Sequence, residues 1–240
     1  MTTNNLFQYS ILSALMKVIC ETGINVKDTL TNGNHGLGTV CNLNEEIVII
    51  DGEVYHFPPG EKLRKIEVSD TLPFVMVTRF KPTIEKTLPF LTMGSLPAAL
   101  APLLPSQQNC FLSVRVEGRF DQLRFRVIAA QSKPREPLAE LVKRQKEVTC
   151  CDVKGTLFGF WSPAFSGGFS VAGFHLHFLS KCKTQGGGGG GHVLGFAARE
   201  VRLQAAAIRD YTVELPQNKD FNEGIIGSVR EAELHAAEGG

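Results

Sequence analysis

The sequence lacks the features by which two large classes of protein are recognised. Lys and Arg form no cluster, and the formal net charge of the 240-residue chain is +1. Nucleic acids bind concentrated positive surfaces, so we expect no nucleic-acid partner. No apolar run reaches the ~20 residues of a membrane-spanning helix, and Lys17 interrupts the apolar stretch at residues 11–19, which no basic segment precedes. We therefore expect a cytoplasmic protein that does not contact a membrane.

Cysteine pairs with metal-binding or redox spacing are also missing. None of the six cysteines stands in a C-x-x-C pair, and the adjacent Cys150 and Cys151 do not suit one tetrahedral metal ion. Disulfide frameworks are typical of short secreted chains. Since this chain is long and shows no secretory signal, we expect reduced thiols, most of them buried.

The composition is that of a globular protein with a sizeable core. Hydrophobic residues make up 43% of the chain and charged residues 20%, and the length suits one large domain or two small ones. The segment Pro105-Ser106-Gln107-Gln108 is the best candidate for a boundary between two domains. It predicts an N-terminal mixed-sheet subdomain at residues 1–107 and a C-terminal subdomain, which would hold the metal site, at residues 108–240.

Strand-like segments outnumber helical ones and are interspersed with them, which predicts an α+β fold. We expect two α/β-type subdomains built on mixed, mostly antiparallel β-sheets with a C-terminal helix. Asp51-Gly52 and residues 117–121 predict hairpin turns. Helices are predicted at residues 6–21, 95–104, 137–147 and 221–238. Strands are predicted at residues 39–43, 47–50, 54–57, 72–80, 111–116, 123–129, 155–161, 171–180, 192–198, 201–207 and 211–215.

The most informative segment is an apolar strand that carries two histidines, Phe174-His175-Leu176-His177-Phe178, followed by a third histidine at His192. On a strand, His175 and His177 point to the same face, with Cα atoms ~7 Å apart at ~3.3 Å per residue. A glycine-rich turn before His192 allows the next strand to run antiparallel beside the first. Three neutral imidazoles that leave coordination positions open are typical of a catalytic zinc site.

The other histidines and the glycine run have simpler explanations. His35 stands in a turn-rich segment, His56 at a strand end and His235 in a charged terminal segment, so each is predicted to be structural or exposed. Six glycines at residues 186–191 predict a flexible hairpin loop. A phosphate cradle is the alternative, but no Lys-Ser/Thr pair follows the glycines and no helix is predicted to begin there.

Several motifs, in order along the chain, resemble those of alpha-acetolactate decarboxylases. The most specific is the strand Gly173-Phe174-His175-Leu176-His177-Phe178-Leu179 together with Gly190-Gly191-His192-Val193-Leu194-Gly195-Phe196. The others are Gly36-Leu37-Gly38-Thr39, Leu43-Asn44-Glu45-Glu46, Asp51-Gly52-Glu53-Val54-Tyr55 and Gly155-Thr156-Leu157-Phe158-Gly159-Phe160-Trp161-Ser162-Pro163. The loop before His192 is longer than in the family, and the excess is the glycine run. We expect this loop to bulge outward while His192 keeps its place.

The resemblance implies a metal site. His175, His177 and His192 match three zinc-ligating histidines of the family, and Glu238 matches a C-terminal glutamate that reaches the metal and helps to close the site during catalysis. The sequence shows no thiamine-type or lysine-based signature. We therefore expect zinc and no organic cofactor.

The resemblance also implies the residues around the metal. Arg126 and Glu46 match the catalytic arginine and glutamate of the family. Arg124 is a second candidate, because residues two apart on a strand share a face. Thr39 and Glu53 match positions that we assign to the substrate pocket.

The activity that the resemblance implies is that of a carboxy-lyase. It converts 2-acetolactate to acetoin and carbon dioxide, in butanediol and acetoin biosynthesis, and the resemblance implies a homodimer. Loss of carbon dioxide from this β-keto acid leaves an enediolate, which zinc can stabilise as a Lewis acid. Two alternatives stay open: another three-histidine zinc lyase or hydratase, and a non-catalytic relative that only binds metal.

Overall fold

The computed structural model describes residues 3–41, 46–57, 63–127, 136, 140–141, 144–181 and 189–227. In chain order, their elements are β1 (Leu6–Tyr9), α1 (Leu12–Met16), β2 (Ile24–Asn25), α2 (Val26–Asn32), β3 (His35–Thr39), β4 (Glu46–Ile50), β5 (Glu53–Phe57), β6 (Arg64–Lys65), β7 (Thr71–Leu72), β8 (Phe74–Thr78), β9 (Ile84–Thr92), α3 (Leu96–Ala99), β10 (Phe111–Val127), β11 (Lys146–Cys150), β12 (Val153–Ser162), β13 (Gly173–Ser180), β14 (Gly190–Ile208), β15 (Tyr211–Glu214) and α4 (Lys219–Glu223).

Two large sheets make up most of this structure. The first has seven strands in the order β15-β1-β8-β3-β4-β5-β6, and the second has six in the order β11-β10-β12-β13-β14-β9. The pairing of β1 with β15 is parallel and the other pairings within the two sheets are antiparallel. Strands dominate, the first sheet is mixed, both sheets are mostly antiparallel and α4 lies near the C-terminus, so the predicted fold class is confirmed.

The second sheet curls until its strands meet. Besides its pairing with β12, β10 pairs along nearly its whole length with β14. This additional pairing joins β10, β12, β13 and β14 into a closed ring. Closure brings the start of β14, which carries His192, beside β13 on one side and beside the end of β10 on the other.

The central strands of the first sheet are buried on both faces, and β4 shows how its residues divide between them. Ile47 and Ile49 belong to a cluster with Val26 at the start of α2. Val48 and Ile50 belong to the main core, which also contains residues of the second sheet. Because side chains alternate along a strand, Glu46 shares the face of Val48 and points towards the second sheet.

The predicted division of the chain at residue 107 stays a prediction. Each of the two sheets includes one strand from the other side of this division. β9 precedes the division and pairs with β14 of the second sheet. β15 follows it and pairs with β1 of the first sheet. The main hydrophobic core is also continuous between the two sheets.

The helix predicted at residues 6–21 was wrong over its first half. Residues Leu6–Tyr9 form β1, and the helix α1 covers only Leu12–Met16. β1 lies between β8 and β15 and is buried along its whole length. A strand buried on both faces lacks the polar–apolar alternation that distinguishes a strand from a helix.

Two predicted breaks in the second sheet are continuous strand instead. The hairpin predicted around residues 117–121 is the middle of β10, and the strands predicted at 192–198 and 201–207 are both parts of β14. The register between β10 and β14 shifts at three places along their length. Such bulges bend long strands, and the glycine and charged residues there resemble turn signals in the sequence.

Smaller differences concern element boundaries. The segment predicted as a turn before Thr39 contains β3, while the strand predicted at 39–43 overlaps β3 only at Thr39. Lys146 and Glu147, predicted at the end of a helix, begin β11. Of the short helix predicted at 95–104, only Leu96–Ala99 form α3, with Pro97 in its first turn. Of the terminal helix predicted at 221–238, Phe221–Glu223 belong to α4, residues 224–227 are not helical, and residues 228–238 lie outside the described residues.

The hairpin at Asp51-Gly52 is confirmed, and both residues have the positive φ that a two-residue hairpin turn requires. Five cysteines are described, and all are free thiols, but only Cys20 is buried, contrary to the expectation that most would be. Within the described ranges, no helix is both long and apolar enough to cross a membrane.

Candidate metal centre

Three buried histidines converge on one point between the two sheets. His175, His177 and His192 each offer one ring nitrogen, and these three atoms lie within 4.8 Å of one another. The exposed fraction of each residue is at most 7%. Among the described residues, these three histidines are the one group of His, Cys, Asp or Glu side chains placed closely enough to hold a metal ion together.

Strand pairing explains the convergence. His175 and His177 lie two residues apart on β13 and share a face, as the sequence predicts. His192 lies directly opposite His177 on antiparallel β14. Residues that face each other in this way have Cβ atoms about 4.5–5.5 Å apart, which is within reach of two imidazole rings.

The end of the glycine run is part of this geometry. Gly191 has a φ of +155°, and a Cβ atom there would lie 2.3 Å from the main-chain oxygen of Arg126. The chain therefore needs glycine where it enters β14 immediately before His192. Of the run, residues 186–188 lie outside the described residues, so the predicted outward bulge stays a prediction.

A main-chain hydrogen bond orients His177. Its Nδ1 atom lies 2.6 Å from the carbonyl oxygen of Ile47 on β4. A carbonyl only accepts, so Nδ1 carries the proton and Nε2 of the neutral ring keeps a free lone pair. Metal-binding histidines are commonly oriented by such a bond from the second ring nitrogen.

Burial keeps the rings of His175 and His177 neutral. Desolvation, with a smaller contribution from the nearby Arg126 charge, lowers the pKa of His175 to about 3. Desolvation, His175 and Arg126 lower the pKa of His177 well below its usual value, although the Ile47 hydrogen bond partly opposes them. Neutral imidazole is the form that binds a metal ion.

The separation of one pair of ring nitrogens matches zinc. The Nε2 atoms of His175 and His177 are 3.2 Å apart. Two nitrogens that lie 2.0–2.1 Å from a tetrahedral zinc ion are separated by about 3.3 Å. Three imidazoles also match the ligand type of catalytic zinc sites.

One predicted residue of the first sheet lies beside the histidines, and a second lies next to it. Glu46, at the start of β4, is buried, and its Oε2 atom lies 3.4 Å from Nε2 of His177. Because the pKa of His177 is far below neutrality, this contact is not an ion pair at neutral pH. Thr39 is also buried and lies directly opposite Glu46 in the pairing of β3 with β4.

Arg126 approaches the centre from the second sheet. It lies opposite His192 in the pairing of β10 with β14, and only 1% of it is exposed. Arg124, the second candidate, is different. Its side chain is 60% exposed and lies 3.9 Å from the carboxylate of Glu147. The structure thus brings Arg126 to the histidines and leaves Arg124 at the surface.

Two predicted residues are not brought to the centre by the described structure. Glu53 begins β5 at the turn end of the hairpin, opposite Ile50, whereas Glu46 lies at the far end of β4. The exposed Glu53 carboxylate forms an ion pair with Lys65. Its assignment to the substrate pocket therefore has no support from its position. Glu238 lies outside the described residues.

Sequence reasoning missed two groups that hold the site residues. The carbonyl of Ile47 orients His177, and a main-chain oxygen leaves no signature in a sequence. The other is Gln145, whose Oε1 atom accepts a hydrogen bond from Nη1 of Arg126 over 3.1 Å. Gln145 belongs to none of the motifs and precedes β11, so only the pairing of β10 with β11 brings it to Arg126.

Comparisons with known proteins agree with the motifs. The family model for alpha-acetolactate decarboxylase matches residues 6–226. The decarboxylase of Brevibacillus brevis is 32% identical over 235 residues, covering 98% of this chain and 81% of that protein. The decarboxylase of Methylococcus capsulatus is 31% identical over 236 residues, covering 98% of this chain and 89% of that protein. The crystal structure of alpha-acetolactate decarboxylase from Bacillus subtilis strain 168 matches with a TM-score of 0.91 at 26% identity, over 98% of this chain and 100% of that one. The chain therefore belongs to the alpha-acetolactate decarboxylase family, a family of carboxy-lyases, as its sequence motifs predicted.

Proposed function

We propose that this chain catalyses the zinc-dependent decarboxylation of 2-acetolactate to acetoin and carbon dioxide, in acetoin and butanediol biosynthesis. One observation carries the proposal: three buried imidazoles converge beside a buried arginine and a buried glutamate. Membership of the family supports the choice of substrate.

The reaction breaks the bond between the carboxylate carbon of the substrate and its hydroxyl-bearing carbon. Carbon dioxide leaves, and the electron pair of that bond is delocalised towards the adjacent ketone oxygen. One proton must then reach the hydroxyl-bearing carbon to give acetoin. The protein must therefore orient a carboxylate, stabilise negative charge on oxygen and supply a proton.

The three histidines are the groups that would hold zinc. His175, His177 and His192 each offer one ring nitrogen, and the carbonyl of Ile47 fixes which nitrogen of His177 is free. Zinc bound there would supply a Lewis acid for the substrate oxygens on which negative charge develops. Glu238, implied as a further ligand, lies outside the described residues and stays a prediction.

Arg126 is the group that would bind the substrate carboxylate. Its guanidinium is permanently charged and presents donors that match a carboxylate in geometry. It is buried and faces the strand position of His192. A carboxylate bound there would lie close to the histidines, and the arginine would fix the direction in which carbon dioxide leaves.

Glu46 is the group that would handle the proton. Its carboxylate lies 3.4 Å from the His177 ring and opposite Thr39. A carboxyl group in this position can hold a proton for the hydroxyl-bearing carbon and exchange it with water afterwards. Thr39 would line the same pocket, next to Glu46.

Two further properties rest on the sequence, the homodimer on the family resemblance and the location on the lack of a signal peptide or membrane span. A homodimer and a cytoplasmic location stay predictions. Sedimentation of the purified protein measures the first, and fractionation of the cells that make it measures the second.

The test of the proposal is an assay of the purified protein with 2-acetolactate, with zinc content measured on the same sample. We expect acetoin and carbon dioxide in equal amounts, and about one zinc per chain. The His177→Ala variant serves as the control for non-enzymatic breakdown of the substrate. A zinc-loaded protein that forms no more acetoin than this variant would overturn the proposal.

A further inference from the structure

Gln145 makes a contact with the proposed carboxylate-binding group that none of the sequence motifs anticipates. Nη1 of Arg126 donates to Oε1 of Gln145 over 3.1 Å. Antiparallel pairing places Glu147 of β11 directly opposite Arg126. Gln145 precedes Glu147 by two residues. It is therefore the diagonal neighbour of Arg126 on the adjacent strand, on the same side as Glu147 and within reach of a long side chain.

A second hydrogen bond fixes the orientation of the Gln145 amide. Its Nε2 atom donates to Oε1 of Glu147 over 3.2 Å. A carboxylate can only accept, so the amide nitrogen must face Glu147 and the amide oxygen must face Arg126. The two contacts thus agree, and together they hold an acceptor towards the guanidinium.

The amide is also neutral. A carboxylate at this position would pair with the guanidinium and compete with a substrate carboxylate for its donors. The glutamine oxygen restricts where the guanidinium points and adds no negative charge beside it. The negative charge of Glu147 lies on an exposed side chain, whose carboxylate accepts the hydrogen bond from the Gln145 amide.

We propose that Gln145 is a positioning residue, which holds the guanidinium of Arg126 in the direction that binds the substrate carboxylate. This inference rests on the proposed function, because it takes the role of Arg126 from there. Gln145 acts through Arg126 and does not touch the histidines in any described contact.

The test is a double-mutant cycle on acetoin formation. Gln145→Met keeps the length of the side chain and removes the acceptor, and we expect kcat/KM to fall about tenfold because the arginine is less well placed. In an Arg126→Lys background the same change should cost less than about twofold, since the guanidinium is already gone. Zinc content and Tm should equal those of the parent protein in each pair.

A charged variant tests the neutrality of the acceptor. Gln145→Glu keeps an acceptor oxygen but adds a carboxylate, so we expect KM for the anionic substrate to rise about tenfold while kcat changes less. A merely structural role would not separate KM from kcat in this way. Gln217→Met, at an exposed glutamine elsewhere, is the control and should match the wild type.

Several outcomes would overturn the inference. Equal losses for Gln145→Met in both backgrounds, no loss in the wild-type background, or an unchanged KM for Gln145→Glu would each do so. A wild-type protein that forms no acetoin is a different result: it rejects the proposed function, and the role of Gln145 falls with it.

Discussion

His177 of the second sheet donates a hydrogen bond to Ile47 of the first sheet, with its Nδ1 atom 2.6 Å from the main-chain oxygen. The residue before Ile47 is Glu46, whose carboxylate lies 3.4 Å from the other nitrogen of the same ring. One short piece of β4 therefore orients the imidazole through its backbone and places a carboxylate beside it through its side chain. A shift of this strand would disturb both functions together, and for this reason the packing of the first sheet is part of the site.

Removal of one histidine should abolish zinc binding and activity together. In the His175→Ala variant we expect zinc affinity to fall at least 100-fold, because loss of a ligand should cost no less than the roughly 10–100-fold of an outer-shell change. Acetoin formation should fall in proportion to the zinc content. Metal analysis and the acetoin assay on the same sample measure both.

Another buried histidine provides the control for that experiment. His35 lies on β3 outside the group of three, and the His35→Gln variant should keep its zinc. If His175→Ala kept both zinc and turnover, the three-histidine centre would not be the site of the reaction.

Arg126 should be needed for turnover and not for metal binding. In the Arg126→Gln variant we expect kcat/KM to fall about 100-fold, because the substrate carboxylate loses its charged partner and its orientation. Zinc content should be unchanged, since a guanidinium is not a metal ligand. Steady-state kinetics and metal analysis distinguish the two effects.

Arg124→Gln is the matched control, two residues away on the same strand. Its side chain is exposed, and an exposed ion pair contributes little. We expect kinetics within about twofold of the wild type. Equal losses in the two variants would show that the net charge of this strand matters and not the position of Arg126.

Glu46 should contribute to the chemical step. In the Glu46→Gln variant we expect kcat to fall about 100-fold or more, the usual contribution of a general acid or base, while zinc stays bound. Glu53→Gln, at the other end of the same hairpin, should have little effect, because that carboxylate is exposed and paired with Lys65. A larger loss for Glu53→Gln than for Glu46→Gln would restore Glu53 to the substrate pocket and remove Glu46 from its proposed role.

Glu238 is the one proposed site residue that the described structure does not include. If it supplies a ligand to the metal, as the resemblance implies, Glu238→Gln should lower zinc affinity and turnover, by roughly 10-fold or more. Glu233→Gln, at a neighbouring acidic position of the same segment, is the control. Wild-type zinc binding and turnover in the Glu238→Gln variant would exclude it from the site.

The features that the sequence predicted correctly have local causes. The hairpin around Asp51-Gly52 follows from the turn chemistry of two adjacent residues. The shared face of His175 and His177 follows from the two-residue period of a strand. His192 reaches them because β14 pairs antiparallel with β13 after a glycine-rich turn. Each of these features can be predicted from a short segment of the sequence.

The features that were missed depend on residues far apart in the chain. β1 lacks the alternation of a strand because it is buried along its whole length within the first sheet. β10 stays a continuous strand through a turn-like segment because β12 and β14 pair with it there. The contact of Arg126 with Gln145 exists for the same kind of reason, since β11 returns along β10. Pairing partners of this kind are not visible in the pattern of one segment.

His35 was predicted to stand in a turn, but it is a buried residue of β3 that joins the two sheets. Its Nδ1 atom lies 3.0 Å from Oδ1 of Asn34, and Nη1 of Arg115 lies 2.6 Å from its Nε2 atom. Arg115 is also bound by the carboxylates of Asp51 and Glu117. Since an arginine can only donate, Nε2 must accept from it, and the ring must be neutral.

The environment of His35 should make the fold sensitive to acid. Burial and the charge of Arg115 lower its pKa to about 4, although Asp51 and Glu117 partly oppose this. In the unfolded chain the ring takes up a proton near pH 6.5. Lowering the pH from about 6.5 to about 4 therefore favours the unfolded state, and the contribution of this residue to stability is complete only above that range.

The measurement is urea unfolding of the wild type and of His35→Gln at about pH 7.5 and about pH 5. We expect the wild type to lose about 2 kcal/mol more than the variant over this interval, because the unfolded His35 is protonated at the lower pH and the folded one is not. The other titrating groups, including the three histidines of the metal centre, are present in both proteins, so their contributions cancel in the comparison. Equal losses in the two proteins would mean that the folded His35 ring accepts a proton as readily as the unfolded one. The hydrogen bond from Arg115 to His35 would then have to break while the protein is still folded.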